Sequence, residues 1–181
     1  MPSPAVFLDR DGTLMEEVYY CNDPSQVKVF PGAADALAQA RAAGFRTIII
    51  TNQSGIARGR MTEEQAQAVR TEFYRQLGPN MIDAYYSCAD HPDTPSARRK
   101  PEPGMLLEAA AEHDLDLTKS WCVGDKVSDI ESGRRAGVRT ILVRTGYGST
   151  PEHAHAPADF AVRDIVAAVQ LILGETGLKI R

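Results

Sequence analysis

The chain has 181 residues, 43% of them hydrophobic and 24% charged, with a formal net charge of −4. That length favours one domain over residues 1–181 and buries roughly 70% of the unfolded surface, so a wholly disordered chain is excluded. The acidic balance argues against a globally basic nucleic-acid binder, no apolar run is long enough for a membrane-spanning helix, and MPSPAVFLDRDG lacks the pattern of a secretory signal. The three cysteines (Cys21, Cys88, Cys122) are odd in number and widely spaced, which points to a reducing cytoplasm. A monomer without nucleic-acid or membrane partners is expected.

Short apolar runs alternate with helical stretches. Ala5–Leu8 (AVFL) predicts a buried strand, and Ala33–Ala43 a helix stopped at Gly44. Thr47–Ile50 (TIII) predicts a second strand. Thr62 with Gln65 forms a capping-box signature that opens a helix to about Leu77. Ile82–Ser87 reads as a third strand, Pro92–Pro103 as a polar loop, and Gly104–His113 as a helix. Ser120–Val123 is a fourth strand, followed by a helix over Asp129–Ala136 and a fifth strand at Arg139–Val143. Ala158–Val162 reads as a short sixth strand and Ile165–Leu173 as a closing helix. Strands alternating with helices predict an α/β fold, a parallel sheet covered on both faces. In such sheets ligands bind at the carboxyl ends of the strands, which is where the polar clusters of this sequence fall.

Asp9 and Asp11 follow the first strand two residues apart, a spacing that sends both side chains to one face while the chain is extended. Two carboxylates this close repel, and a bound cation would relieve them. Thr51-Asn52-Gln53-Ser54-Gly55 follows the second strand, with hydroxyls, amides and free N–H groups suited to a phosphate. Arg99 and Lys100 bring phosphate-binding cations from the proline-rich loop. Asp125 and Asp129 follow the fourth strand and suit a hard cation or its waters. Each cluster has an ordinary reading as loop or helix-start chemistry. An acidic pair, a hydroxyl, a lysine and a second acidic pair, all after strands, converge along one sheet edge.

DxDGT at Asp9–Thr13, TNQSG at Thr51–Gly55, Lys100 and GDxxxD at Gly124–Asp129 resemble the haloacid dehalogenase superfamily of phosphatases. Within it, FLDRDGT, TNQSGIARG, RKPEPGM and VGDKVSDI are similar to D-glycero-D-manno-heptose-1,7-bisphosphate 7-phosphatases and the related histidinol-phosphate phosphatases. The resemblance implies a Rossmann-like parallel sheet with no large cap domain. It implies Asp9 as the nucleophile forming an aspartyl-phosphate, Asp11 as acid/base, and Thr51 and Lys100 as stabilisers of the transferring phosphoryl group. It implies Mg²⁺ held by Asp9, the Asp11 backbone carbonyl and Asp125, with Asp129 behind them. Substrate contacts would come from Glu17, Tyr20, Asn52, Gln53, Ser54, Arg99 and Lys126. The implied reaction is loss of the 7-phosphate from the heptose bisphosphate, a small phosphorylated metabolite, with histidinol phosphate or another sugar phosphate as the alternative substrate.

The sequence departs from that subfamily at its structural zinc. Cys88 and His91 supply two ligands, Asp90 falls where a zinc histidine would stand, and Asp93–Arg98 contains no cysteine. A structural zinc site is normally closed by four ligands, so zinc is not expected here. His153 and His155 read as a solvated loop, His113 as a helix end, Trp121 as core, and Cys21 and Cys122 as packed groups rather than nucleophiles. The basic Arg134-Arg135 pair and Lys179–Arg181 tail are too short for a nucleic-acid site. A receiver domain would carry its phospho-acceptor aspartate after a middle strand, where this chain has Thr51-Asn52. A non-catalytic phospho-ligand binding module would lack one of the acidic or lysine positions, and none is missing.

Overall fold

A computed structural model describes residues 1–177. The Lys179–Arg181 tail lies outside the described residues. Six strands form one sheet in the order β3-β2-β1-β4-β5-β6. They are β1 (Ala5–Leu8), β2 (Arg46–Asn52), β3 (Ala84–Cys88), β4 (Trp121–Gly124), β5 (Arg139–Val143) and β6 (Phe160–Val162), and every neighbouring pair is parallel. The helices are α1 (Ala33–Ala42), α2 (Glu63–Leu77), α3 (Gly104–Glu112), α4 (Val127–Ala136) and α5 (Ile165–Glu175). The predicted Rossmann-like sheet and its element order are thus present.

The two faces of β1 show why the sheet is covered on both sides. Successive strand residues point to opposite faces. Val6 and Leu8 pack in one apolar cluster with α1, α2 and α5, whereas Ala5 and Phe7 pack in a second with α3 and α4. β1 also marks the point where strand order reverses, between β2 and β4, so the loops leaving β1 and β4 diverge and open a crevice at their carboxyl ends. Between β2 and β3 stand only a loop and α2, and no large cap is present among the described residues.

The differences from expectation are local. β2 runs on through Thr51 and Asn52 because the ladder with β3 continues to Thr51↔Ser87 and Asn52↔Cys88. β3 starts at Ala84 rather than Ile82. Asp83 instead accepts the Thr47 N–H at 2.8 Å and pairs with Arg41 and Arg46. α4 starts at Val127, not Asp129, because the Asp129 carboxylate reaches back to accept the Lys126 N–H at 2.9 Å. Two short 3₁₀ turns, Pro24–Gln26 and Leu117–Lys119, were not anticipated; each follows an aspartate that caps it. Helix α2 opens on the expected box, with the Gln65 N–H donating to Thr62 Oγ1 at 3.2 Å and the Thr62 N–H to Gln65 Oε1 at 2.8 Å.

Candidate active site

Asp9 is the first residue past β1, and its N–H donates to Val123 O on β4 at 3.0 Å, so its position is set by the central strand pair. Asp125 is the first residue past β4. Asp9, Asp125 and Asp129 each offer a carboxylate oxygen within 4.8 Å of the others, and all are buried. Lys100 reaches this cluster from the loop before α3. Its Nζ lies 2.7 Å from Asp9 Oδ1, 2.6 Å from Asp129 Oδ1 and 2.7 Å from the carbonyl oxygen of Ile50. Those three acceptors match the three N–H donors of an ammonium.

Three buried carboxylates face one buried ammonium, so negative charge is in excess. Burial pushes the Asp9 carboxyl up to about 7, with Asp129 adding and Lys100 opposing. Burial likewise pushes Asp125 up to about 8, with Asp9 and Asp129 adding. Burial works against the charge of Lys100, but Asp129 and Asp9 outweigh it, and Lys100 stays firmly cationic. Such a cluster is relieved by protons or by a divalent cation. Asp125 Oδ2 accepts the Tyr147 N–H at 2.8 Å, while Asp125 Oδ1 is buried with no hydrogen-bond partner. An unsatisfied buried carboxylate oxygen beside two other carboxylates is the donor set a magnesium ion takes, since that ion uses one or two carboxylates and completes its shell with water or phosphate. Gly12 makes room here. It sits at φ +85°, and a Cβ on it would fall 2.2 Å from Asp125 Oδ2.

Asp11 faces a different set of partners. Arg10 forks it, Nε donating to Oδ2 and NH2 to Oδ1, both at 3.0 Å. Gln53 Nε2 donates to Asp11 Oδ2 at 3.2 Å and to Thr51 Oγ1 at 2.8 Å, joining the acidic loop to the β2 hydroxyl. Arg10 is itself buried and also donates to the Tyr85 hydroxyl at 3.1 Å.

A cavity of about 380 Å³ stands over this floor. Asp9, Asp11, Thr51, Gln53, Ser54, Lys100 and Asp129 line it together with Glu17, Tyr20, Arg99 and Lys126. Lys126 Nζ meets Glu17 Oε2 at 3.0 Å, bridging the loop after β1 to the start of α4. Burial raises the Glu17 carboxyl against the pull of Lys126. Tyr20 holds a left-handed backbone (φ 53°), uncommon for a bulky residue, and its ring lies over Gly55. Asn52 lines the cavity too, yet both ends of its amide bond to the Lys100 backbone: Nδ2 to Lys100 O at 3.0 Å and Oδ1 from Lys100 N at 3.1 Å. Its amide orients the lysine backbone from the cavity wall.

The loop from Cys88 to Arg99 is held by side-chain hydrogen bonds. Cys88 Sγ lies 3.3 Å from Asp90 Oδ2 and 3.7 Å from Ser96 Oγ. Ser96 Oγ accepts the N–H groups of Arg98 and Arg99, both at 3.3 Å, and Arg99 NH1 donates to Asp90 O at 3.3 Å. Hydrogen bonds from Ser96 and Cys88 hold the Asp90 carboxyl below its ordinary value. Cys21 and Cys122 are buried and their thiols pushed up, to about 11 and about 12, first by burial, which suits packed groups.

His153 corrects the solvated-loop reading. Its side chain is only 16% exposed, it lines the cavity, and its Nδ1 accepts the Val127 N–H at 3.2 Å. His155 is exposed. Sequence reasoning also passed over Arg10, Met61, Ser128 and Tyr147, which line the same cavity. The carboxyl-edge rule that found Asp9 and Asp125 applies equally to the loop after β5, which carries Tyr147 and His153.

Comparison with known proteins agrees with this geometry. A family model for haloacid dehalogenase-like hydrolases matches residues 6–90, and a HAD-hydrolase-like model matches residues 97–168. The D-glycero-D-manno-heptose-1,7-bisphosphate 7-phosphatase of Thermosynechococcus vestitus is 38% identical, over 95% of this chain and 96% of its own length. The D-glycero-beta-D-manno-heptose-1,7-bisphosphate 7-phosphatase of Escherichia coli is 36% identical, over 93% of each chain. A crystal structure of the D,D-heptose 1,7-bisphosphate phosphatase of B. bronchiseptica, complexed with magnesium and phosphate, superposes with a TM-score of 0.86 at 31% identity, over 95% of this chain and 99% of that one.

Proposed function

The chain belongs to the haloacid dehalogenase-like hydrolases and is a phosphoric monoester hydrolase, and from that premise we propose that it removes the 7-phosphate of D-glycero-D-manno-heptose 1,7-bisphosphate. The observation that carries the reading is the buried Asp9–Asp125–Asp129 cluster with Lys100 at the base of a cavity ringed by cationic side chains.

In this reading Asp9 attacks phosphorus and the P–O bond to the sugar oxygen breaks, leaving an aspartyl-phosphate. Asp11 gives the proton to the departing oxygen and takes one from the water that then cleaves the acyl phosphate. Arg10 and Gln53 hold Asp11 in register for both steps. Lys100 and Thr51 meet the charge that spreads over the phosphoryl oxygens in flight. Mg²⁺ would be held by Asp9, Asp125 and the Asp11 carbonyl, with Asp129 buried alongside, and it would supply charge neutralisation between an anionic nucleophile and an anionic ester. Arg99 and Lys126 hold the part of the substrate remote from the reacting phosphate, and Glu17, Tyr20 and Ser54 shape its enclosure. With no large cap, these loops alone exclude water.

The test is phosphate release with magnesium over a panel containing both anomers of heptose 1,7-bisphosphate, histidinol phosphate and common sugar phosphates. Phosphorus NMR reports which phosphate is lost. Preference for the heptose bisphosphate with loss of the 7-phosphate is expected. Preference for histidinol phosphate would keep the chemistry and replace the substrate, and no turnover of any ester would leave only a binding role.

A further inference from the structure

His153 stands outside all the sequence motifs of the site, in the helix-free stretch between β5 and β6. It touches both structures that flank Lys126. On one side, its Nδ1 accepts the N–H of Val127, the residue after Lys126 and the first of α4, at 3.2 Å. An acceptor Nδ1 places the ring hydrogen of the neutral imidazole on Nε2. On the other side, its ring meets Tyr147 edge to face, with centroids 5.9 Å apart and planes at 74°. The Tyr147 ring is the surface over which Lys126 Nζ stands, 4.6 Å from the centroid. Tyr147 is fixed in turn through its own N–H, which donates to Asp125 Oδ2 at 2.8 Å.

From this arrangement we propose that His153 is a positioning residue for Lys126, setting where its ammonium stands on the cavity wall. The physical need is plain. A lysine is a point charge on a flexible four-carbon stem, with little to fix it at the mouth of a cavity. Here the peptide that follows Lys126 is held by the bond from Val127 N–H to His153, and the ammonium stands over an aromatic face that His153 buttresses. Glu17 then meets the ammonium from the opposite wall at 3.0 Å. His153 therefore touches neither the reacting phosphate nor the nucleophile in this account; it acts through Lys126. The inference rests on the reading of Lys126 as a substrate-holding cation.

His153→Phe keeps a ring against Tyr147 and removes the acceptor. His153→Asn restores an acceptor at the reach of Nδ1. With magnesium and heptose 1,7-bisphosphate, His153→Phe is expected to raise KM about fivefold, the equivalent of one lost hydrogen bond, with kcat within about twofold. His153→Asn is expected to recover much of that loss. In a Lys126→Met background, His153→Phe is expected to shift KM by less than about twofold, because an effect routed through Lys126 disappears with it. An equal KM shift in both backgrounds, or none in either, overturns the proposal. Should heptose bisphosphate not be turned over, the substrate reading fails by itself. The same cycle is then read on whichever phosphate ester of the panel is turned over. Nitrogen-15 spectra of the imidazole give a further reading without turnover: hydrogen on Nε2 is expected, and hydrogen on Nδ1 would overturn the bond to Val127 on which the proposal stands.

Discussion

The Lys100 ammonium and the Asp9 carboxylate meet at 2.7 Å although 91 positions separate them in the chain. The same ammonium is 2.6 Å from Asp129 and 2.7 Å from the Ile50 carbonyl, so its orientation is fixed from β1, β2 and α4 at once. Removing it leaves Asp9 and Asp129 close together with no buried counter-charge. Lys100→Met is therefore expected to lower kcat about 10²–10³-fold, the loss typical of one preorganised group that stabilises developing charge. Lys100→Arg should not rescue it, because a planar fork cannot satisfy three acceptors arranged around a point. Phosphate-release kinetics on purified variants check both, and substantial activity in Lys100→Arg would sink the argument.

The carboxylate cluster predicts how metal and pH act together. Asp9 and Asp125 hold protons up to about 7 and about 8 in the metal-free fold, against 3.8 for an ordinary aspartate. Between those limits the folded state binds more protons than the unfolded one. Stability of the metal-free protein should thus fall as pH rises from about 4 to about 8, by up to roughly 1 kcal/mol per pH unit for each group. Magnesium held by the ionised cluster should flatten that decline. Melting curves from pH 5 to 8.5, in chelator and in magnesium, test this. A metal-free protein that grows more stable towards pH 8 would contradict it. Asp9→Asn removes one buried charge, so it should melt no lower than the parent in chelator at pH 8 while losing at least about 10⁴-fold in turnover.

The legible part of this protein was what a parallel sheet places by rule. Asp9, Thr51 and Asp125 stand at the ends of apolar strands, and strand order brings those ends together. Strands that alternate with helices predict two covered faces, and Val6 and Leu8 do pack on one side of β1 with Ala5 and Phe7 on the other. The role of Arg10 is not legible in the sequence, because its fork onto Asp11 is a side-chain geometry that spacing does not encode. Tyr147 and His153 lie in a stretch without periodicity, and tertiary contacts with Asp125 and with the start of α4 give them their places. Asn52 looked like a phosphate donor by composition, and the ladder with β3 turned it towards Lys100 instead.

Gly55 supports the mouth through the room it leaves. A Cβ there would fall 2.8 Å from Tyr20 Cδ1 and 3.3 Å from Met61 Cγ. The Tyr20 ring, which lines the cavity, would have to shift to relieve that contact. Gly55→Ala should raise KM about fivefold, the equivalent of about 1 kcal/mol, with a smaller change in kcat. Steady-state kinetics decide it, and an unchanged KM would mean that Tyr20 takes no part in enclosing the substrate.

Side-chain hydrogen bonds hold the loop from Asp90 to Arg99. Cys88, Asp90 and Ser96 form the polar cluster, and Ser96 Oγ accepts from the backbones of both Arg98 and Arg99. Arg99 lines the cavity, so this serine sets the path of a residue at the mouth. A zinc-selective chelator, with magnesium kept in excess, should leave turnover unchanged. Ser96→Ala should speed amide exchange at residues 98 and 99, since two N–H groups lose their acceptor. Because those groups reach solvent, global stability should change by less than about 1 kcal/mol. The loosened Arg99 should appear as a higher KM with kcat preserved. Loss of activity to the chelator would show that a metal orders the loop after all, and unchanged exchange in Ser96→Ala would remove the serine from the explanation.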